Sequence, residues 1–179
     1  MATQIFKYLV FDDPEWDYTA YDLSTWKEDS KATGELLNST DPDLSAFRDT
    51  GAKLVMWHGW SDAAIPAFST IDYYDEVEAG DPSVRDYARF FLMPGVSHCA
   101  AGPGPDSVDW LDVLEAWVEH GEAPDRIVAT KYDENGNETM TRPLCQYPLV
   151  ARWDGAGDTN AAASFACVEP DVEASTTSD

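Results

Sequence analysis

Two short apolar runs mark the middle of the chain. The first, Lys53-Leu-Val-Met-Trp-His58, breaks into Gly59-Trp-Ser-Asp62, and the second, Ala88-Arg-Phe-Phe-Leu-Met93, breaks into Pro94-Gly-Val-Ser-His98-Cys99. Each run has the length of a buried strand and stops in Gly or Pro turn chemistry. Between them, Phe68, Ile71, Tyr74 and Val77 recur at three-residue spacing behind Pro66. That pattern predicts a helix from Pro66 to Val77 with proline in its first turn and Gly80-Asp-Pro82 as its stop. Strand, helix and strand within about 40 residues is the proportion of a βαβ unit. It implies parallel strands and a right-handed crossover.

The flanking segments are less periodic. Residues 1–50 interleave Asp, Ser, Thr and Pro with aromatic residues, among them Phe6, Phe11, Trp16, Tyr21 and Trp26. Ile5 to Phe11 reads as a strand or a lead-in broken by Asp13-Pro14, and Asp41 to Phe47 as a short capped helix. After His98 a Gly/Pro-rich loop leads to a helix capped by Asp106 or Ser107 and ending at His120-Gly121. Val108, Leu111, Leu114, Trp117 and Val118 form its expected buried stripe, and His120 suits the negative end of the helix dipole. Ile127 to Tyr132 and Glu138 to Arg142 flank Asn135-Gly136, a strong hairpin signal. Residues 143–168 are punctuated by Pro and Gly, and the acidic run 169–179 has the composition of a disordered tail.

Charge narrows the range of partners. Eleven Lys and Arg stand against 34 Asp and Glu, a net charge of −23. Such a surface repels phosphate backbones and anionic lipid, so neither nucleic acid nor a membrane surface is expected as a partner. No apolar run approaches the roughly 18 residues of a membrane span. The N-terminus lacks the basic start and apolar centre of a signal peptide. Three cysteines, Cys99, Cys145 and Cys167, are an odd number, which leaves one without a partner in the chain.

The candidate chemistry lies just past the two strands. An acid after one strand, Asp62, and a histidine after the next, His98, follow the order nucleophile, acid, base of α/β-hydrolases. In such a triad the carboxylate orients the imidazole, which takes a proton from the nucleophile and returns it to the leaving group. A rival places the nucleophile in the chain: Gly59-Trp-Ser61-Asp-Ala63 is one residue short of the G-x-S-x-G elbow. Ser61 would then use His98 as base, with Asp72 or Asp106 as acid. Ser97 is a weaker candidate, pointing away from its neighbour's imidazole. A metal site at His58, Asp62 and His98 lacks the Cys or second carboxylate that zinc spacing requires. No cofactor is expected.

Lys53 to Pro66, with Ile71-Asp-Tyr-Tyr74, resembles the acid-bearing segment of the tannase and feruloyl esterase family. Phe90 to Gly104 resembles that family's histidine segment. The likeness continues through Asp109 to Gly121 and Arg142 to Pro148, and reaches back to Lys7 to Phe11 and Leu44 to Phe47. The resemblance implies an α/β fold, the last parallel strands of a hydrolase sheet followed by a C-terminal hairpin. Residues 1–50 would be the end of a lid region and 51–168 the C-terminal part of the hydrolase domain. The nucleophile-bearing half and most of the lid are expected to be absent. By resemblance Asp62 is the triad acid and His98 the base; Ile65, three residues beyond Asp62, is the candidate for the acyl-pocket wall. Cys99 becomes half of a bridge to a cysteine beside the family's serine, which leaves it orphaned here, while Cys145 pairs with Cys167. The implied activity is hydrolysis of aromatic carboxylic esters of gallate, ferulate or terephthalate type, aromatic polyester included, in a secreted or periplasmic setting. The alternative is a non-catalytic remnant, or a module that dimerises over an open sheet edge.

Overall fold

β1 (Leu54–Gly59) and β2 (Ala88–Met93) run parallel, with Leu54 opposite Ala88 and Gly59 opposite Met93. The computed structural model describes residues 2–171. Alternation along the two strands sorts the core into two layers. On one face Leu54, Met56, Phe90 and Leu92 pack with Tyr74, Val77 and Phe47. On the other, Val55, Trp57, Phe91 and Met93 meet Val108, Trp110, Ile127 and Leu144. β2 therefore has cover on both sides, and Phe90 and Phe91 are fully buried. Each such aromatic contributes about 1.5–3 kcal/mol by leaving water. The second edge of β2 is met by the segment after β4: Phe91 bridges Gln146, and the Tyr147 N–H donates to the Phe90 carbonyl at 2.8 Å. β1, paired on one edge among the described residues, stays half-buried up to Gly59.

The crossover helix α1 (Ala67–Gly80) follows Pro66 as expected. Tyr74 and Val77 are fully buried and the Tyr74 hydroxyl donates to the Ala88 carbonyl. Phe68 departs from the expected stripe. It lies in the first turn, exposed, with its ring 5.5 Å from that of Trp60.

The second helix, α2 (Trp110–His120), begins later than the sequence suggests. Its cap is Asp109, whose carboxylate accepts the Asp112 N–H. Asp106 and Ser107 are engaged elsewhere: Ser107 exchanges backbone hydrogen bonds with Thr130, and Asp106 pairs with Lys131. The buried face also turns. Trp110, Val113 and Trp117 face the core, whereas Leu111 and Val118 are exposed. Trp57 and Trp110 stack almost in parallel, 5.8 Å apart, which fixes that rotation.

The hairpin forms from β3 (Arg126–Tyr132) and β4 (Glu138–Cys145). Asp133 organises its turn by accepting the Asn135 and Asn137 amides. A further pair, β5 (Val150–Trp153) and β6 (Phe165–Val168), lies in the segment whose composition gave no strand signal. The Cys145–Cys167 disulfide ties β6 to the end of β4. The start of the expected tail is held, since Arg152 reaches the Glu169 carbonyl and the Asp171 carboxylate. The rest of that tail, 172–179, lies outside the described residues.

One compact unit ends at Asp41 and a second begins at Pro42, earlier than the expected boundary near residue 50. The shift follows from packing, because Leu44 and Phe47 already belong to the core beneath α1. In the first unit, Ile5 to Phe11 is helical: an α-turn, Ala2–Ile5, runs into a π-turn, Phe6–Val10. The Phe11 N–H bonds the Phe6 carbonyl, and this wider turn brings both rings against Trp16 and Tyr21. No helix among the described residues is long and apolar enough to cross a membrane.

Candidate active site

Backbone contacts join the two strand-end loops before any side chain acts. The Trp60 N–H donates to the Met93 carbonyl and the Ser61 N–H to the Val96 carbonyl, each at 2.9 Å. This approach depends on Gly59. A Cβ there would lie 2.2 Å from the Ser97 carbonyl oxygen and 2.5 Å from that of Val96.

Asp62 is held from both sides. Its Oδ1 accepts the N–H groups of Ala64 at 2.7 Å and Ile65 at 3.0 Å. Its Oδ2 accepts from His98 Nδ1 at 2.7 Å. The carboxylate side chain is only 4% exposed, whereas that of His98 is 56% exposed. The Ile65 N–H does most to hold the Asp62 carboxyl down at about 2; burial opposes it, and His98 and the Ala64 N–H assist. An ionised acceptor at Nδ1 selects the Nδ1–H tautomer and leaves the exposed Nε2 of His98 as a proton acceptor.

The histidine loop is braced from the hairpin. Ala101 adopts a left-handed conformation, its carbonyl accepting the Ser97 N–H and its own N–H donating to Asp106. Lys131 on β3 reaches the Asp106 carboxylate at 3.0 Å and the Gly102 carbonyl at 3.1 Å. Burial pushes the Asp106 carboxyl up, but Lys131 and the Ala101 N–H outweigh it and hold it below the ordinary range. Gly104 permits the loop to close, since a Cβ there would meet the Pro94 carbonyl oxygen at 2.0 Å.

Asp62 and His98 are thus brought together. Ser61 lies beside them in the turn, exposed, and its hydroxyl bonds neither histidine among the described residues. Asp72 is exposed on α1, and Asp106 serves Lys131 and Ala101 rather than an imidazole. Ile65 enters through its backbone, and the residue is 47% exposed. Trp60 and Phe68 open on an apolar cavity of about 450 Å³, completed by Leu92, Pro143 and Tyr147. Cys99 is a free, exposed thiol next to His98. Sequence reasoning gave no structural part to His58, which lies within 3.5 Å of Asp62, or to Lys131. The four-residue spacing of His58 and Asp62 was the one available signal.

Adjacent parallel strands joined by a crossover helix, with Asp62 and His98 paired just beyond their carboxyl ends, define the class as α/β. The sequence matches the tannase and feruloyl esterase family across residues 2–168, and the chain belongs to that family. It is 44% identical over 161 residues to the mono(2-hydroxyethyl) terephthalate hydrolase of Piscinibacter sakaiensis, an alignment covering 87% of this chain and 27% of that protein. It is 45% identical over 141 residues to a probable feruloyl esterase of Arthroderma benhamiae, covering 75% of this chain and 26% of the relative. The crystal structure of feruloyl esterase B from Aspergillus oryzae superposes with a TM-score of 0.84 at 27% identity, over 93% of this chain and 37% of that one. The chain therefore spans about a quarter of these two curated relatives' length.

Proposed function

We propose that this chain carries the acid and base of a carboxylic ester hydrolase for aromatic esters, working through an acyl-enzyme. The observation that carries the reading is the 2.7 Å contact between Asp62 Oδ2 and His98 Nδ1 at the ends of β1 and β2. His98 Nε2 takes the proton of a serine hydroxyl as that oxygen attacks the ester carbonyl. The proton then passes to the departing alcohol. In the second half, His98 draws a proton from water as the water oxygen attacks the acyl carbonyl, then returns that proton to the serine oxygen as the acid leaves. Asp62 keeps the imidazole in the productive tautomer and stabilises its cation. Among the described residues no hydroxyl bonds His98, so the family's serine is expected to come from a segment other than this one; Ser61 is the rival within the chain.

The relatives named for feruloyl and terephthalate esters support an aromatic acyl group. Trp60, Ile65 and Phe68, all exposed and apolar near the acid loop, provide a surface suited to such a ring. The disulfide fits an oxidising setting, secreted or periplasmic.

The test is hydrolysis of p-nitrophenyl acetate, methyl ferulate and mono(2-hydroxyethyl) terephthalate by the chain and by Asp62→Asn, His98→Ala and Ser61→Ala. Activity that falls by about 10⁴ in Asp62→Asn and is lost in His98→Ala supports the assignment. Additional loss in Ser61→Ala moves the nucleophile into this chain. Activity that survives His98→Ala refutes the reading. Complete inactivity of the wild type, with no gain on adding the serine-bearing portion of a relative, favours the non-catalytic module instead.

A further inference from the structure

His58 is the second imidazole at the acid, and the mechanism above does not use it. It leaves β1 toward the α1 side and is nearly buried, its side chain 11% exposed. Nε2 lies 3.0 Å from the Ile65 carbonyl oxygen and 3.5 Å from Asp62 Oδ2, while Nδ1 lies 2.8 Å from Thr70 Oγ1. Both neighbours of Nε2 are acceptors, so that nitrogen carries the hydrogen. Nδ1 of the neutral ring then accepts the Thr70 hydroxyl proton. The ring therefore spans from the first turn of α1 to the loop that presents the acid.

The Ile65 backbone is where this span matters. Its carbonyl accepts from His58, and its N–H donates to Asp62 Oδ1. The two groups belong to the peptides on either side of the Ile65 Cα, so displacement of that residue's backbone would strain both bonds and loosen the carboxylate that holds His98. His58 Nε2 also lies 3.5 Å from Oδ2, the oxygen that receives His98.

We propose that His58 is a positioning residue. By fixing the Ile65 backbone against Asp62, it keeps the carboxylate aimed at His98 Nδ1 and so keeps His98 in the tautomer whose Nε2 accepts a proton. The proposal rests on the acid–base reading of Asp62 and His98, but its test requires no turnover.

With three histidines in the chain, ring nitrogens can be assigned one by one in the ¹⁵N-labelled full chain, using His120→Gln to remove the exposed helix-end signal. Spectra at about pH 9, above the ordinary imidazole range, report the neutral tautomers. The expected wild type has His58 as Nε2–H and His98 as Nδ1–H. His58→Phe keeps a ring but no donor, and should lower the Nδ1–H to Nε2–H ratio of His98 on the order of fivefold, the equivalent of one neutral hydrogen bond. His58→Gln, whose amide can still donate to the Ile65 carbonyl, should recover most of that ratio. Should His58→Phe fail to fold, Thr70→Val removes the other end of the span and should shift the ratio in the same direction.

A wild-type His58 found as Nδ1–H overturns the proposal. So does a folded His58→Phe whose His98 ratio is unchanged, or a His58→Gln shifted as far as His58→Phe. A wild type inactive on every ester, with no gain on adding the serine-bearing portion of a relative, that nevertheless shows these tautomer shifts would remove the esterase reading and leave the positioning role standing. An active wild type whose His98 ratio ignores His58→Phe would remove the positioning role alone.

Discussion

Replacing Gly59 with alanine tests whether the spacing between the two strand-end loops is what assembles the site. The added Cβ would start 2.2 Å from the Ser97 carbonyl oxygen and 2.5 Å from that of Val96. A carbon and a carbonyl oxygen settle at about 3.3–3.6 Å, so the histidine loop must recede by roughly 1 Å. The obstruction is backbone on both counts and cannot be relieved by a rotamer change. Recession by that amount would lengthen the 2.9 Å bond from the Ser61 N–H to the Val96 carbonyl beyond useful range. It would stretch the 2.7 Å contact of Asp62 with His98 in the same way. Overpacking of this kind costs about 1–3 kcal/mol. For a domain of this size that is a Tm lower by roughly 2–12 °C. Thermal unfolding followed by circular dichroism reads the stability, and the ring nitrogens of His98 read the hydrogen bond. A Gly59→Ala chain that melts with the wild type and keeps His98 as Nδ1–H would refute the close-approach argument.

Three further outcomes follow from the same structure. Replacing Cys145 and Cys167 by serine opens a bridge spanning 22 residues, worth about 3 kcal/mol in the chain-entropy model; Tm should fall, and a strong reductant should lower the wild type to the same value. Asp62, held by the Ile65 N–H, and Asp81, held by the Ser83 hydroxyl and N–H, both have carboxyls lowered to about 2. Because these folded-state values lie below the unfolded value near 3.9, their stabilisation is present above about pH 4 and is lost as pH falls toward 2. Urea midpoints measured over that interval should drop less steeply in Asp62→Asn, and identical slopes would count against the assignment. Lys131→Met should destabilise the fold by about 2 kcal/mol, since it deprives a half-buried carboxylate of a charged donor. It should also speed amide exchange at Ser97 and Ala101, and unchanged exchange there would mean the hairpin does not brace the histidine loop.

The two central strands, their parallel pairing and the crossover helix were legible because their apolar runs are short and end in Gly or Pro. Asp62 and His98 were legible for a related reason, since each comes just after a strand whose length the sequence defines. The errors arose where tertiary partners outrank local signals. Asp106 and Ser107 look like helix caps, yet Lys131 and Thr130 claim them, so Asp109 caps α2. The stripe through Leu111 and Val118 is valid helical periodicity, but stacking of Trp110 on Trp57 decides which face turns inward. Ile5 to Phe11 carries strand-like residues, yet packing of Phe6 and Phe11 on Trp16 and Tyr21 winds it into a π-turn. β5 and β6 pass unnoticed because each is four residues long and stabilised by its partner and the disulfide. His58 and Lys131 escaped because their partners are chosen by strand register and hairpin placement.

The backbone bonds from Trp60 to Met93 and from Ser61 to Val96 also bear on how this region tolerates change. They tie the Asp62 and His98 loops together, so under the proposed function the exposed residues around them can diverge without retuning the distance between the two side chains. On that reading, natural variation near Trp60, Ile65 and Phe68 would be free to alter which ring is admitted, while the Asp62–His98 pair behind it stays the same.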